Sequence, residues 1–184
     1  MTSDVSICNL ALSRIGHDEI TSLAENNPAA KACSREYEVC RDTLLRAHTW
    51  NFAVRRVQLA QLTTKPVFEY AREYHLPDDC LRVVSVDCVE PYRIEGRKLL
   101  TDAATVKIEY VARITDPTQF DVLFVDTLAY LIAARIAPRL MDNASMVREL
   151  YQAYEAMLRE ARYTDSLEGT VRNIDAGYWV ESRY

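Results

Sequence analysis

Residues 41–53 read Arg41-Asp42-Thr43-Leu44-Leu45-Arg46-Ala47-His48-Thr49-Trp50-Asn51-Phe52-Ala53, and inside this run the chain changes from one hydrophobic period to another. On its N-terminal side the period is helical. Asn27 is a helix N-cap and Pro28 takes the first helical position, where its missing N–H has no partner to lose. Cys33, Tyr37, Cys40 and Leu44 then recur at spacings of four, three and four, which makes one buried face. Arg35, Glu38, Arg41 and Asp42 fill the opposite face, and the helix is expected to reach about His48. Beyond it the residues turn β-rich. Trp50 and Phe52 therefore stand at a helix-to-sheet junction. Each ring has about 150–250 Å² to bury, so both are expected to serve as structural anchors.

Working outward, a first helix begins at Ser3 as N-cap with Asp4 in its first turn. Its stripe is Ile7, Cys8, Ala11, Leu12 and Ile15, and Gly16 ends it. A loop through Glu25 and Asn26 leads to the second helix. Downstream, short β-rich runs occupy Val54–Leu62, Val67–Tyr70, Leu81–Cys88, Tyr92–Ile94, Lys98–Thr101 and Val106–Val111. In the last of these, Val106, Ile108 and Tyr110 alternate with Lys107 and Glu109, the pattern of a half-buried strand. Glu95-Gly96-Arg97 reads as a tight turn between two strands.

A third helix is expected from about Phe120 to Ala137. It is apolar nearly all round and so belongs at a bundle centre or in a subunit interface, with Pro138 stopping or kinking it. A fourth follows over roughly Ala144–Asp165, its stripe being Val147, Leu150, Tyr154, Met157, Leu158 and Ala161. From Leu167 to Tyr184 no period is sustained, yet Tyr178, Trp179 and Tyr184 supply aromatic anchors. Such an arm either docks on a neighbouring subunit or partner, or folds back on its own domain. The expected fold class is α+β. A four-helix bundle (residues 1–53 and 112–166) carries a small antiparallel β insert (54–111) between helices two and three, followed by an extended C-terminal arm (167–184).

Composition narrows the function. The net charge is -5 and the pI about 5.3, whereas a protein that grips duplex DNA draws its affinity from neutralising phosphates and is usually basic. An acidic wall is instead suited to letting DNA pass without sticking. Of the 22 basic residues only Lys31, Lys65, Lys98 and Lys107 are lysines. The arginine excess reflects either a coding bias or forked contacts in protein interfaces. Cys8, Cys33, Cys40, Cys80 and Cys88 are odd in number, lack a CxxC pair and sit among apolar neighbours; they read as reduced core thiols, which places assembly in a reducing cytoplasm. The N-terminus lacks a signal-peptide pattern. The longest apolar run, Val122–Ala137, is interrupted by Asp126 and Arg135 and too short to span a membrane.

Motifs for chemistry do not assemble. His17, His48 and His75 have neither a His nor a Cys at helical spacing, so no metal site is expected. Gly16, Gly96, Gly169 and Gly177 are too scattered for a phosphate-cradling loop. Cys80 with His75 or His48 could make a nucleophile pair only by long-range coincidence. Asp78-Asp79 and Asp18-Glu19 lie in turn-like contexts where solvated carboxylates are the ordinary outcome. Arg55-Arg56 beside Trp50 and Phe52 could stack on nucleic acid, but a subunit or core contact better fits the acidic total.

The junction run also carries a resemblance. Together with Asn9-Leu10-Ala11-Leu12, Arg14-Ile15-Gly16, Ile20-Thr21-Ser22-Leu23, Tyr74-His75-Leu76-Pro77-Asp78-Asp79-Cys80-Leu81-Arg82-Val83, Ile94-Glu95-Gly96-Arg97-Lys98-Leu99-Leu100 and the stretch Tyr110 to Pro117, it resembles the tail tubular protein A family, the head-to-tail adaptors (connectors) of short-tailed bacteriophages. The likeness covers roughly residues 5–165. Thr49 departs from it, standing where that family often has proline, and the tail from Leu167 matches nothing in it.

What the resemblance implies is a structural virion protein and no enzyme. It would form a homo-oligomeric ring, twelvefold in that family, between the portal protein and the tail nozzle protein, assembled in the host cytoplasm. DNA would pass through its channel without specific binding. No cofactor and no membrane are implied, and Tyr178, Trp179 and Tyr184 would contact the portal or a neighbouring subunit. Two other readings stay open: a virion-associated peptidoglycan hydrolase and a small nucleic-acid-binding regulator.

Overall fold

The helix-start signals lie where helices begin. The structure, a computed structural model, describes residues 2–141 and 143–168. Helix α1 (Asp4–Arg14) opens with a reciprocal cap in which the Ser6 N–H donates to the Ser3 hydroxyl and the Ser3 N–H donates to the Ser6 hydroxyl. Helix α2 (Pro28–Ala47) follows the Asn27 cap, whose side chain accepts the Ala30 N–H at 2.7 Å. Asp121 caps α3 (Val122–Leu140) and Asn143 caps α4 (Ala144–Leu167).

Helix α3 is the hub. It packs against α1, α2 and α4, while α1 and α2 meet only lightly. Its buried residues, among them Phe124, Leu128, Ile132, Ala133 and Ile136, lie on every side, and a helix with no wet face must be surrounded. Arg14 of α1 closes one rim by stacking over the Tyr130 ring at 3.7 Å and pairing with Asp126. Pro138 does not end the helix. It sits in the last turn, where one N–H is forgone, and α3 runs on to Leu140.

The β half differs from the expected arrangement. Its strands are β1 (Val54–Gln58), β2 (Arg72–His75), β3 (Cys80–Asp87), β4 (Tyr92–Glu95), β5 (Lys98–Thr101) and β6 (Lys107–Ala112). A single small insert in a four-helix bundle is not what forms. Two three-stranded antiparallel sheets, ordered β1-β6-β3 and β2-β5-β4, follow α2 and precede α3 and α4. Two sheets arise because two strands become central. β5 is tied by a tight hairpin to β4, with Gly96 at φ +58° supplying the turn conformation a side chain resists. β6, beyond the 102–106 link, is taken up by β1 and β3 instead.

The run Val67–Tyr70 is likewise not a strand. Pro66 lacks a donor, Glu69 sits at φ +68°, and the segment forms a loop with Val67 and Phe68 facing outward. The polar-looking Arg72–His75 pairs with β5 in its place, because it brings Tyr74 into the core and Glu73 beneath the loop. Thr64 and Lys98 both bond to Glu73, and together they hold its carboxyl below the ordinary range.

The two sheets are stitched together. After β1 the chain stays extended: Leu59 N–H donates to Val106 at 2.8 Å, Gln61 bridges to Tyr74, and Leu62 N–H donates to Glu73 at 2.9 Å. Arg97 at the β4–β5 turn donates to the Cys80 carbonyl of β3 at 3.0 Å. Of the C-terminal arm expected from Leu167, Leu167 ends α4 and Glu168 is its C-cap; residues 169–184 lie outside the described residues.

Candidate functional site: the helix-to-sheet junction

The junction is built from the end of α2, one turn of 3-10 helix (Asn51–Ala53) and the last turns of α4. Helix α2 stops because His48 adopts extended backbone. The chain then folds back so that Trp50 is fully buried and its indole N–H donates to the Leu44 carbonyl at 2.9 Å. That carbonyl is one of those a helix end leaves without an N–H partner.

Around the indole stands a ring cluster. Phe124 of α3 meets Trp50 edge-on at 5.2 Å, and the His48 imidazole does so at 4.9 Å. Half-buried Phe52 contacts Phe124 at 5.1 Å and Phe120 at 5.9 Å. Edge-on and tilted rings at these separations add to what burial alone contributes.

Asp165, near the end of α4, latches the junction. Its Oδ1 accepts the Asn51 backbone N–H at 3.0 Å, its Oδ2 lies 3.1 Å from His48 Nε2, and its carbonyl accepts the Asn51 side-chain amide at 2.7 Å. One turn earlier, Arg162 donates to the Ala47 carbonyl at 2.9 Å, another orphan of the α2 end. Nothing local in the sequence points to Asp165. Its partners lie more than a hundred positions away, and only the packing of α4 on α3 brings them together.

His48 and Asp165 look like an acid–base pair, but the electrostatics argue for a fixed strut. Burial holds the imidazole below its ordinary value, and Arg162 and Arg82 push the same way; the adjacent carboxylate only partly offsets them. A small cavity of about 230 Å³ opens beside the latch, lined by Asn51, Phe52, Phe120 and Asp165.

The other candidates lie apart from this site. Asp79 accepts from the Tyr110 hydroxyl at 3.2 Å, while Asp78 is solvated. Asp18 and Glu19 sit on an exposed loop, and His75 is exposed on β2. Arg55 and Arg56 occupy the outer strand β1, with Arg56 on Glu109 at 2.9 Å. All five cysteines are free; four are buried and Cys88 is half-buried. Cys8 of α1 and Cys33 of α2 are neighbours, and that contact, then burial, pushes Cys8 far above its ordinary value. Burial pushes Cys40 up to about 12, so it stays a thiol at neutral pH. Among the described residues no group of three His, Cys, Asp or Glu side chains is placed to hold a metal, and no helix is long and apolar enough to cross a membrane. Tyr178, Trp179 and Tyr184 lie outside the described residues. No protein-family model matches the chain, and no curated protein matches it either.

Proposed function

We propose that this chain is a structural ring subunit of a virion, a head-to-tail adaptor seated between the portal and the tail nozzle of a short-tailed phage. It performs no catalysis and lengthens the DNA channel. The resemblance over residues 5–165 supports this reading. The observation that carries it is how the exposed apolar side chains are distributed. Residues 54–111 are about a third of the described chain, yet hold seven of its thirteen exposed large hydrophobics. Val67 is 97% exposed, Phe68 73% and Val89 100%. Apolar side chains displayed on turns between ordered strands form the kind of surface a neighbouring subunit covers. In this reading the arm bearing Tyr178, Trp179 and Tyr184 engages the portal, and the junction keeps the β half fixed to the helices.

The test is the solution mass of the pure protein, alone and mixed with the portal protein of the same virus. A ring, or a monomer that joins the portal in a fixed ratio, is the expected result. A monomer that ignores the portal defeats the proposal.

A further inference from the structure

The four outer sheet edges fall into two kinds, for an edge strand is a template for further pairing unless something blunts it. On β3 the outer edge is blunted over its first half. The register shifts twice, between Cys80 and Arg82 and between Val83 and Ser85, and the carbonyls of Cys80 and Leu81 accept from Arg97 and Arg46. On β2 the outer edge is taken by the Gln61 bridge and the Leu62 N–H. The outer sides of β1 and β4 have no such cover among the described residues. Both strands keep a regular register, every residue of β4 is exposed, and so are Arg55–Gln58 of β1.

Each sheet thus has one blunted edge and one open edge. We infer that the open β1 edge of one copy pairs antiparallel with the open β4 edge of the next, joining the two kinds of sheet into one six-stranded sheet across the subunit boundary. The inference rests on the ring reading above and names its contact. A surface that meets a different surface on its neighbour is head-to-tail, the arrangement that closes into rings.

The hydrogen-bond phase fixes the register. Leu59 N–H bonds to Val106, so the odd positions of β1 face β6, and the N–H and C=O groups of Arg56 and Gln58 face outward. Likewise Leu76 N–H bonds to Arg97, which turns Leu99 and Thr101 toward β2 and leaves Tyr92 and Ile94 as the outward-bonding positions of β4. Antiparallel pairing that joins Arg56 to Ile94 and Gln58 to Tyr92 then sets Arg55 directly opposite Glu95, an attractive pair at the closer of the two cross-strand spacings. Parallel pairing in the same phase would set Arg56 against Arg93. Two β1 edges meeting about a two-fold at Arg55 or Arg56 would set that arginine against its own copy, and about Val57 would set no opposite charges face to face. Two β4 edges meeting about a two-fold at Ile94 would set Arg93 opposite Glu95, residues already paired within the strand at 3.2 Å, and would leave both β1 edges unpaired. Antiparallel β1 with β4 uses both open edges in a single kind of contact and places opposite charges together.

The test uses the full chain carrying Arg55→Cys and Glu95→Cys, with Cys88→Ser removing the half-buried thiol. It is treated with oxidised glutathione at raised concentration and with the portal protein of the same virus. A ladder of covalent dimers, trimers and higher species is expected, since each copy offers two different edges. Either cysteine alone gives no ladder, and mixing the two single variants stops at dimers. A ladder that ends at dimers in the double variant overturns head-to-tail pairing in favour of a two-fold contact. Ring assembly by mass without any ladder overturns the edge pairing and leaves the adaptor reading standing; neither ring nor ladder overturns both. Charge reversal gives an independent reading that needs no new cysteine. Arg55→Glu or Glu95→Arg lowers ring assembly about tenfold, as expected when an attractive cross-strand pair becomes repulsive. The double reversal restores it, and equal loss in single and double variants counts against the pairing.

Discussion

The helical half and the β half of this protein treat apolar surface in opposite ways. From Phe124 to Ala137 the apolar residues of α3 are buried or half-buried on all sides, and charged ones serve as struts, as Arg14 does with Asp126. In the sheets, apolar and charged residues share the outside: Tyr92 and Ile94 are 45% and 41% exposed on β4, and Val67 and Phe68 project from a loop. A side chain enclosed by its own chain stabilises the monomer. One left outside on an ordered strand or turn contributes only when a partner covers it. On the proposed reading the two halves meet different demands, one for folding and one for contact, and the junction at Trp50 joins them.

Breaking the junction should have the largest effect. Trp50→Ala removes a fully buried indole and the bond to Leu44, and should lower unfolding free energy by about 3–5 kcal/mol in denaturant titration. A loss under about 1 kcal/mol would show that the ring cluster is not what holds the two halves together. Releasing the latch is the next step down. Asp165→Ala leaves the Asn51 N–H without its acceptor and should cost about 1–3 kcal/mol. Asp165→Asn keeps one acceptor and should lose less; equal losses would argue that helix packing, not the bonds, is being measured.

Smaller still is the pH effect of His48. Its folded-state pKa is lowered, so the unfolded chain binds the proton more readily than the folded one. The contribution is therefore intact above the ordinary imidazole value of about 6.5 and declines as pH falls through that value and below it. Between about pH 8 and pH 5.5, wild type should lose more stability than His48→Gln; parallel curves would assign the decline to other groups. The smallest expected effect on folding belongs to the proposed contact surface. Val67→Ser with Phe68→Ser should change monomer stability by no more than about 0.5 kcal/mol while weakening assembly on the portal. A large drop in the melting temperature would place these residues in the fold, not in a contact.

The helices were legible because their signals are local. Ser3 and Asn27 with Pro28 act within a few residues, and the 3.6-residue stripe survives any tertiary context. The β half was legible only in part. Runs rich in Val and Phe attract a strand assignment at Val67–Tyr70. Pairing energy belongs to the partner strand, and β5 finds its partner in Arg72–His75. That there are two sheets depends on which strand becomes central, and no residue encodes that alone. The candidate site divides in the same way. Trp50 and Phe52 stand out in the sequence as large rings at a change of period, whereas Asp165 is one carboxylate among 27 acidic residues until α4 packs beside them.

One feature of the fold bears on how force would travel. The extended run from Val54 to Leu62 belongs to the margins of both sheets and begins four residues after the buried indole. A pull on the second sheet along this run is delivered through covalent backbone toward the Trp50 plug. The bonds between β1 and β6 lie across such a pull, so they would be sheared together instead of opening one after another. The sheets can therefore carry tension as a single member, with the aromatic plug as its cleat.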